Sequence, residues 1–336
     1  MERPEIYFSF FMFTVDARPD DTAYTKTLIN HMQALTDMGY DGFDLHIAAQ
    51  PPSVDHKLEV DSYLGLKKAF DKAGLRDAKF TTNVGTTRTF DPTSPYEEQR
   101  KEALAYLKSR VDITSVLGGD SIMSGPFLYP YGAFPLTDNG DGIWSDALLD
   151  WMEPRFLAAR SVFQELGEYA ATKHVKLAIE PVKSWETPPP NMVSEALDFL
   201  DGASGADRLP GGVTIDTAQV VMESQGPSVF KRNVARAVQH DRLYYIHISA
   251  PDRGAVHDSW IPWDALLGEI EPVYDGPYLV EVFNAIPPLD SGMRMARRRF
   301  WRPGEDAPEP GRPSAYDIAK AGLETLREQL ARFGGA

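Results

Sequence analysis

Val175-Lys-Leu-Ala-Ile-Glu180, Gly212-Val-Thr-Ile-Asp216, Tyr244-Tyr-Ile-His247 and Tyr278-Leu-Val-Glu281 are four apolar, strand-like runs, each ending on a residue able to bind a metal ion. The polar ends are separated by 36, 31 and 34 residues, about one strand–helix unit each. Alternation along a strand sends neighbouring side chains to opposite faces. The flanking Ile179, Ile215, Ile246, Ile248, Val280 and Val282 would then pack outward against helices. Glu180, Asp216, His247 and Glu281 would all point inward at the same end of a closed sheet. Buried charges are costly unless paired or coordinated, and a divalent cation held by three carboxylates and an imidazole removes that cost. Hard oxygen donors with one nitrogen favour Mn²⁺, Mg²⁺ or a similar ion such as Co²⁺.

The same rhythm extends along the chain. Strand patterns fall near residues 6–14, 42–48, 78–84, 120–125, 175–181, 212–217, 243–249 and 278–283. Helical patterns lie near 21–38, 60–74, 95–117, 146–173, 192–202, 227–240, 262–270 and 314–333. Strict alternation of eight units predicts the α/β class, a single (β/α)8 TIM barrel spanning residues 1–336 with extended βα loops. A length of 336 residues suits one such barrel with extensions. The extensions are two long top-face loops, 126–145 and 284–313, the second carrying Arg297-Arg-Arg-Phe-Trp-Arg302.

Composition narrows the chemistry. A net charge of −15 argues against nucleic-acid partners, whose phosphates select basic surfaces. With no cysteine, disulfides and thiolate metal sites are ruled out, so any metal rests on oxygen and imidazole. The apolar run Ile6-Tyr-Phe-Ser-Phe-Phe-Met-Phe13 is too short for a membrane span and has no signal-peptide flanks. It reads as a first buried strand of a cytoplasmic protein without membrane partners.

Four further residues are candidates for the barrel mouth. Glu186 lies six after Glu180 and Arg253 six after His247, both in strand–helix loops where an acid and a guanidinium could hold sugar hydroxyls or an oxyanion. His46 ends strand two and is a candidate proton-transfer group. Trp260 could stack on a sugar face, whereas Trp263 reads better as an anchor of the following helix.

At these residues the chain resembles the xylose-isomerase-like barrel superfamily, in particular the D-tagatose/D-psicose 3-epimerases. Glu180-Pro-Val-Lys-Ser-Trp-Glu186 looks like that group's first ligand and its substrate-binding Glu. Asp216-Thr-Ala-Gln219, His247 to Arg253 with Pro262-Trp-Asp264, and Glu281 look like the later motifs. The resemblance implies a metal, usually Mn²⁺, holding the C2 and C3 oxygens of a ketose while Glu180 and Glu281 exchange a proton with C3. One departure stands out: Gln219 occupies the place of a substrate-binding His. With the long loops and Phe300-Trp-Arg-Pro-Gly304, this resembles more closely the α subunit of bacterial C-glycoside deglycosidases. That resemblance implies cleavage of a 3-oxo-C-glycoside together with a small β subunit, in an oligomer.

Both activities begin with removal of a proton next to a carbonyl, assisted by a Lewis-acid metal and a positioned base. A 3-epimerase returns the proton to the other face, whereas a lyase expels the C1 substituent. The expectation is metal-dependent enolisation of a keto-sugar, with deglycosylation as main reading and ketose 3-epimerisation or isomerisation as alternative. Endonucleases on related barrels need several His ligands and a basic groove. Seven His and the acidic balance oppose that reading. A non-catalytic barrel is opposed by retention of all four ligands.

Overall fold

A computed structural model of the protein describes residues 3–51, 53, 55–119, 121–143, 146–202, 207–223, 226–283 and 313–334. Its eight strands are β1 Ile6–Ser9, β2 Gly42–His46, β3 Lys79–Asn83, β4 Ser121–Gly125, β5 Val175–Ile179, β6 Gly212–Asp216, β7 Leu243–Ser249 and β8 Tyr278–Glu281. They pair in sequence order, all parallel, and β8 closes on β1. The expected TIM barrel is therefore present.

Helices fill each crossover: α1 Thr22–Met38, α2 His56–Lys72, α3 Glu97–Gly118, α4 Asp146–Thr172, α5 Val193–Asp201, α6 Thr217–Met222, α7 Pro227–Gln239, α8 Trp263–Ile270 and α9 Ala315–Phe333. Local chemistry sets several ends. Asp21 accepts from the Ala23 and Tyr24 amides to start α1, which stops at Gly39 with φ 105°. Asp55 caps α2 in the same way. Ser314 and Asp317 form a reciprocal capping box for α9. No helix among the described residues is long and apolar enough to cross a membrane.

The alternation holds where it matters most. Ile179, Ile215, Ile246, Ile248, Val280 and Val282 are all buried in the main core between sheet and helices. Tyr7, Ile122, Ala178, Tyr245 and Leu279 form a separate small cluster. Two residues beyond Ala178, Tyr245 and Leu279 on the same strand face come Glu180, His247 and Glu281. Thr81 ties this interior together by donating to Asp44 at 2.7 Å and meeting the Tyr245 hydroxyl at 2.9 Å.

Two expectations are corrected. The first strand ends at Ser9 rather than near 14, because Phe10–Met12 form a 3-10 turn with the Ser9 hydroxyl accepting from the Phe11 amide. The apolar run continues past the strand because Phe11 walls the cavity while Phe10 packs on Phe43 and Phe13 on His31. Helix α6, absent from the sequence reading, starts directly after Asp216, whose carboxylate caps it. The loop after β4 is ordered by bridges pairing Thr86 with Pro130 and Leu136 with Gly142. The other expected long loop, 284–313 with Arg297–Arg302, lies outside the described residues except for Pro313.

Candidate metal centre and cavity

The tops of β5 to β8 deliver the four expected ligands to one place. Glu180 follows β5 and is tied to β4 by its amide, which donates to the Gly125 carbonyl at 3.0 Å. Asp216 and His247 are direct register partners across β6 and β7. Glu281 ends β8 beside Ser249. One ligand atom from each of Glu180, Asp216, His247 and Glu281 lies within 4.8 Å of the others, and all four residues are buried.

The donor set fits a cation on two independent grounds. Both ring nitrogens of His247 are buried without a hydrogen-bond partner, which is costly unless something coordinates one of them. Three carboxylates face a single guanidinium, Arg253. With His247 neutral, two negative charges are uncompensated, matching one divalent ion.

Arg253 binds the cluster from above. It donates to Asp216 at 3.1 Å, to the Ser249 hydroxyl at 2.9 Å and to Glu281 at 3.1 Å. Its backbone sits in the left-handed region at φ 57°, unusual for a side chain of this size. Its amide to the Ala250 carbonyl (2.7 Å) and its carbonyl from the Phe283 amide (3.2 Å) hold that conformation.

Electrostatics follow from this crowding. Burial works against the imidazolium of His247, but Glu180, then Glu281 and Asp44, outweigh it and raise its pKa to about 9. Burial alone would push the Asp216 carboxyl up, yet Arg253 and hydrogen bonds hold it well below the usual range. Glu281 goes the other way: burial, reinforced by Asp216 and Glu180, raises it well above its usual value despite Arg253. One guanidinium cannot neutralise both carboxylates, and Asp216 takes the larger share.

A cavity of about 350 Å³ opens over this centre. Glu180 and Glu281 line it, as do Arg253, Glu186, Gln219 and His46. Asp216 and His247 do not line it and sit beneath. Phe11 and Phe283, stacked at 5.0 Å, form an apolar wall against which His46 packs at 5.3 Å from Phe11. Burial pulls the His46 imidazolium down to about 4. Its Nδ1 has no hydrogen-bond partner.

Six of the expected residues beyond Asp216 and His247 thus share one cavity. Trp260 does not: it is 94% exposed and absent from the cavity wall. Its loop carries it outward into solvent, so stacking on a sugar held in this cavity is not what the geometry offers. Trp263 packs against the main core, as expected for a helix anchor.

Sequence reasoning missed Lys183, which is fully buried, pairs with Glu186 and reaches Gln219 Oε1 at 3.3 Å. Burial and nearby Arg253 pull its ammonium below the usual range, against the pull of Glu186. A charged residue three positions after a ligand gives no periodic signal in a loop. Tyr131, from the loop after β4, also lines the cavity, and burial with the nearby Glu186 carboxylate raises its phenol.

Comparison with known proteins agrees with this architecture. A family model described as xylose isomerase-like TIM barrel matches residues 32–299. A crystal structure from Anabaena variabilis, provisionally named a sugar phosphate isomerase/epimerase, is 46% identical. Its TM-score is 0.93, with 99% of this chain and all of that one covered. An L-ribulose 3-epimerase from Methylomonas sp. is 28% identical over 221 residues, 62% of this chain and 73% of that protein. A D-allulose 3-epimerase from Methylomonas sp., solved with D-allulose, shares the fold at 22% identity and TM-score 0.71, covering 98% of each chain. The family match over most of the chain, on a closed eight-stranded barrel with its polar cluster at the strand ends, makes this protein a member of the xylose isomerase-like TIM barrel family.

Proposed function

We propose that the protein is a divalent-metal-dependent ketose 3-epimerase, with Mn²⁺ as the preferred ion and Mg²⁺ or Co²⁺ as substitutes. The observation that carries this reading is the division of labour among the ligands. Glu180 and Glu281 line the cavity whereas Asp216 and His247 sit beneath it. The two glutamates can therefore both hold an ion and reach a bound sugar.

When bound, the cation supplies Lewis-acid polarisation of a sugar carbonyl, an effect of several kcal/mol. The protein does the rest. Glu180 and Glu281 come from strands three apart in the barrel order and flank the site. One takes the proton beside the carbonyl and the other returns it to the opposite face of the same carbon. Arg253 and Glu186 orient sugar oxygens. His46, neutral near pH 7, lines the cavity, where its imidazole can accept a hydrogen bond or a proton from a hydroxyl. The Phe11–Phe283 wall excludes water along one side. About 350 Å³ lies at the small end of the usual 300–1,000 Å³ for ligand sites, suiting a free monosaccharide.

The relatives, named as ketose 3-epimerases, favour this over cleavage of a 3-oxo-C-glycoside with a small β subunit. The second reading keeps one observation in its support: Gln219, not His, follows Asp216 by three and lines the cavity. The deciding experiment incubates Mn²⁺-loaded protein with the ketohexoses and with a 3-oxo-C-glucoside, alone and with proteins encoded beside it. Epimer formation by the protein alone supports the proposal. Aglycone release that requires a partner subunit, without epimerisation, overturns it.

A further inference from the structure

Asp44 is a buried carboxylate that the chemistry above does not use. It lies midway along β2, 1% exposed, between Phe43 and Leu45. Those two pack in the main core between sheet and helices, so the Asp44 side chain points into the barrel. It does not line the cavity. Barrel interiors are ordinarily filled by Val, Ile and Leu. This one carries a polar floor beneath the metal centre instead. Thr81 donates to Asp44 Oδ2 at 2.7 Å and meets the Tyr245 hydroxyl at 2.9 Å, while Ser124 and Thr214 bond at 2.7 Å. Asp44 Oδ1 is left without a partner.

His247 stands one layer above. It lies two residues past Tyr245 on the same strand face, and the two rings meet edge-on with centroids 4.7 Å apart. The carboxylates show which nitrogen faces the ion. Nδ1 is 3.7 Å from a Glu180 oxygen and 3.9 Å from a Glu281 oxygen, too long for hydrogen bonds and suited to donors standing round one cation. A neutral imidazole that ligates through Nδ1 carries its proton on Nε2. That atom too is buried without a partner. A donor and an acceptor are thus both orphaned in the same sealed interior, each costly alone. Their charges reach one another. His247 is the strongest influence holding the Asp44 carboxyl down against burial, and Asp44 in turn raises His247.

We propose that Asp44 is a positioning residue of the metal centre, whose free Oδ1 takes the Nε2–H of His247, directly or through one water, while Nδ1 holds the cation. An acceptor on the second nitrogen of a ligating histidine fixes the tautomer and the ring orientation, and makes the ring a stronger ligand. Thr81 holds the other carboxylate oxygen and Tyr245 holds Thr81, so the acceptor cannot swing away. The proposal rests on the reading of Glu180, Asp216, His247 and Glu281 as cation ligands, and needs no particular sugar reaction.

The test compares wild type with Asp44→Val, which removes both oxygens, and Asp44→Asn, which keeps one acceptor without the charge. Mn²⁺ titration calorimetry gives the affinity. Histidine ¹⁵N NMR of the Mg²⁺-loaded proteins gives the tautomer, the His247 ring being the one whose nitrogens shift on adding Mg²⁺. In wild type, Nδ1 is the ligating nitrogen and Nε2 bears a slowly exchanging, downfield proton. Mn²⁺ binds about tenfold more weakly in D44N and about 100-fold more weakly in D44V. The downfield proton moves upfield in D44N and is lost to exchange in D44V. Ser124→Ala, on the same polar floor but sharing no partner with His247, keeps Mn²⁺ affinity within about twofold. That separates loss of the acceptor from general loosening of the floor. D44N decides alone should D44V not fold. A wild-type ring proton on Nδ1, unchanged affinity in D44N, or an Nε2–H signal indifferent to the substitutions overturns the proposal. So does an equal loss of affinity in S124A. Wild type that binds neither ion fails the ligand reading itself and takes the proposal with it, whereas wild-type binding undiminished in the Asp44 variants strikes the role of Asp44 alone.

Discussion

Replacing Arg253 with Met removes the guanidinium that Asp216 and Glu281 share at 3.1 Å each. In the metal-free protein this takes the nearest cation from two fully buried carboxylates and leaves only the His247 imidazolium beside them. Breaking a buried pair from one side typically costs about 3–5 kcal/mol. Unfolding entropy of about 2.1 cal/mol/K per residue, over 336 residues, gives about 0.7 kcal/mol/K, so the loss corresponds to about 4–7 °C in Tm. A bound divalent ion takes over the missing neutralisation. Mn²⁺ at about 100 times its Kd stabilises any binder by about 2.7 kcal/mol. The more negative site of R253M binds it at least as tightly as wild type. Thermal unfolding followed by circular dichroism, in EDTA and in Mn²⁺, measures both effects. The expected result is a lower Tm in EDTA and a Mn²⁺-induced rise at least as large in R253M as in wild type. A Tm within about 1 °C of wild type in EDTA, or a smaller Mn²⁺ response, would refute the charge accounting.

Three further outcomes follow from the same geometry. Since metal-free His247 is raised from 6.5 to about 9, it is protonated at neutral pH and must lose that proton to bind a metal. Its stabilising charge is fully present below pH 6.5 and lost as pH rises through about 9. Mn²⁺ affinity should therefore rise up to that pH, with protons released from His247 and from the raised Glu281 on binding, measured by calorimetry across buffers of different ionisation heat. His46→Asn should lower kcat by about 10²-fold, in line with loss of a proton-transfer group, with Mn²⁺ affinity unchanged. An unaltered kcat assigns all proton traffic to the two glutamates. Trp260→Ala should leave KM and kcat within about twofold, because this side chain is 94% exposed and off the cavity wall.

The four ligands were legible because each occupies the same place in its own strand–helix unit, and because period-two alternation fixes which face it takes. The barrel followed from the same regularity. Glu186, Arg253 and His46 read at the mouth from their nearness to strand ends, Gln219 from the family resemblance alone, and all four line the cavity. What escaped the sequence has physical reasons. Lys183 sits in a loop, where no period predicts burial, and a lysine is ordinarily a surface residue. Phe11 was assigned to a strand because an apolar run has the same composition whether it is sheet or a turn packed on a barrel rim. Helix α6 did have a signal, since Asp216 and Gln219 stand at the spacing of a capping side chain and the amide it accepts. Trp260 shows the converse: an aromatic near a site carries no information about the direction in which its loop turns.

The central claim is that Glu180, Asp216, His247 and Glu281 hold one cation against which a ketose gives up its C3 proton. The direct measurement is NMR of C3–H exchange in D₂O across the ketohexoses, using wild type and Glu281→Gln, each with Mn²⁺ and with EDTA. Deuterium should enter C3 only in the presence of Mn²⁺, and at least about 10²-fold more slowly with E281Q than with wild type. Undiminished exchange in E281Q, or no exchange with any ketohexose while calorimetry shows the ion bound, would contradict it.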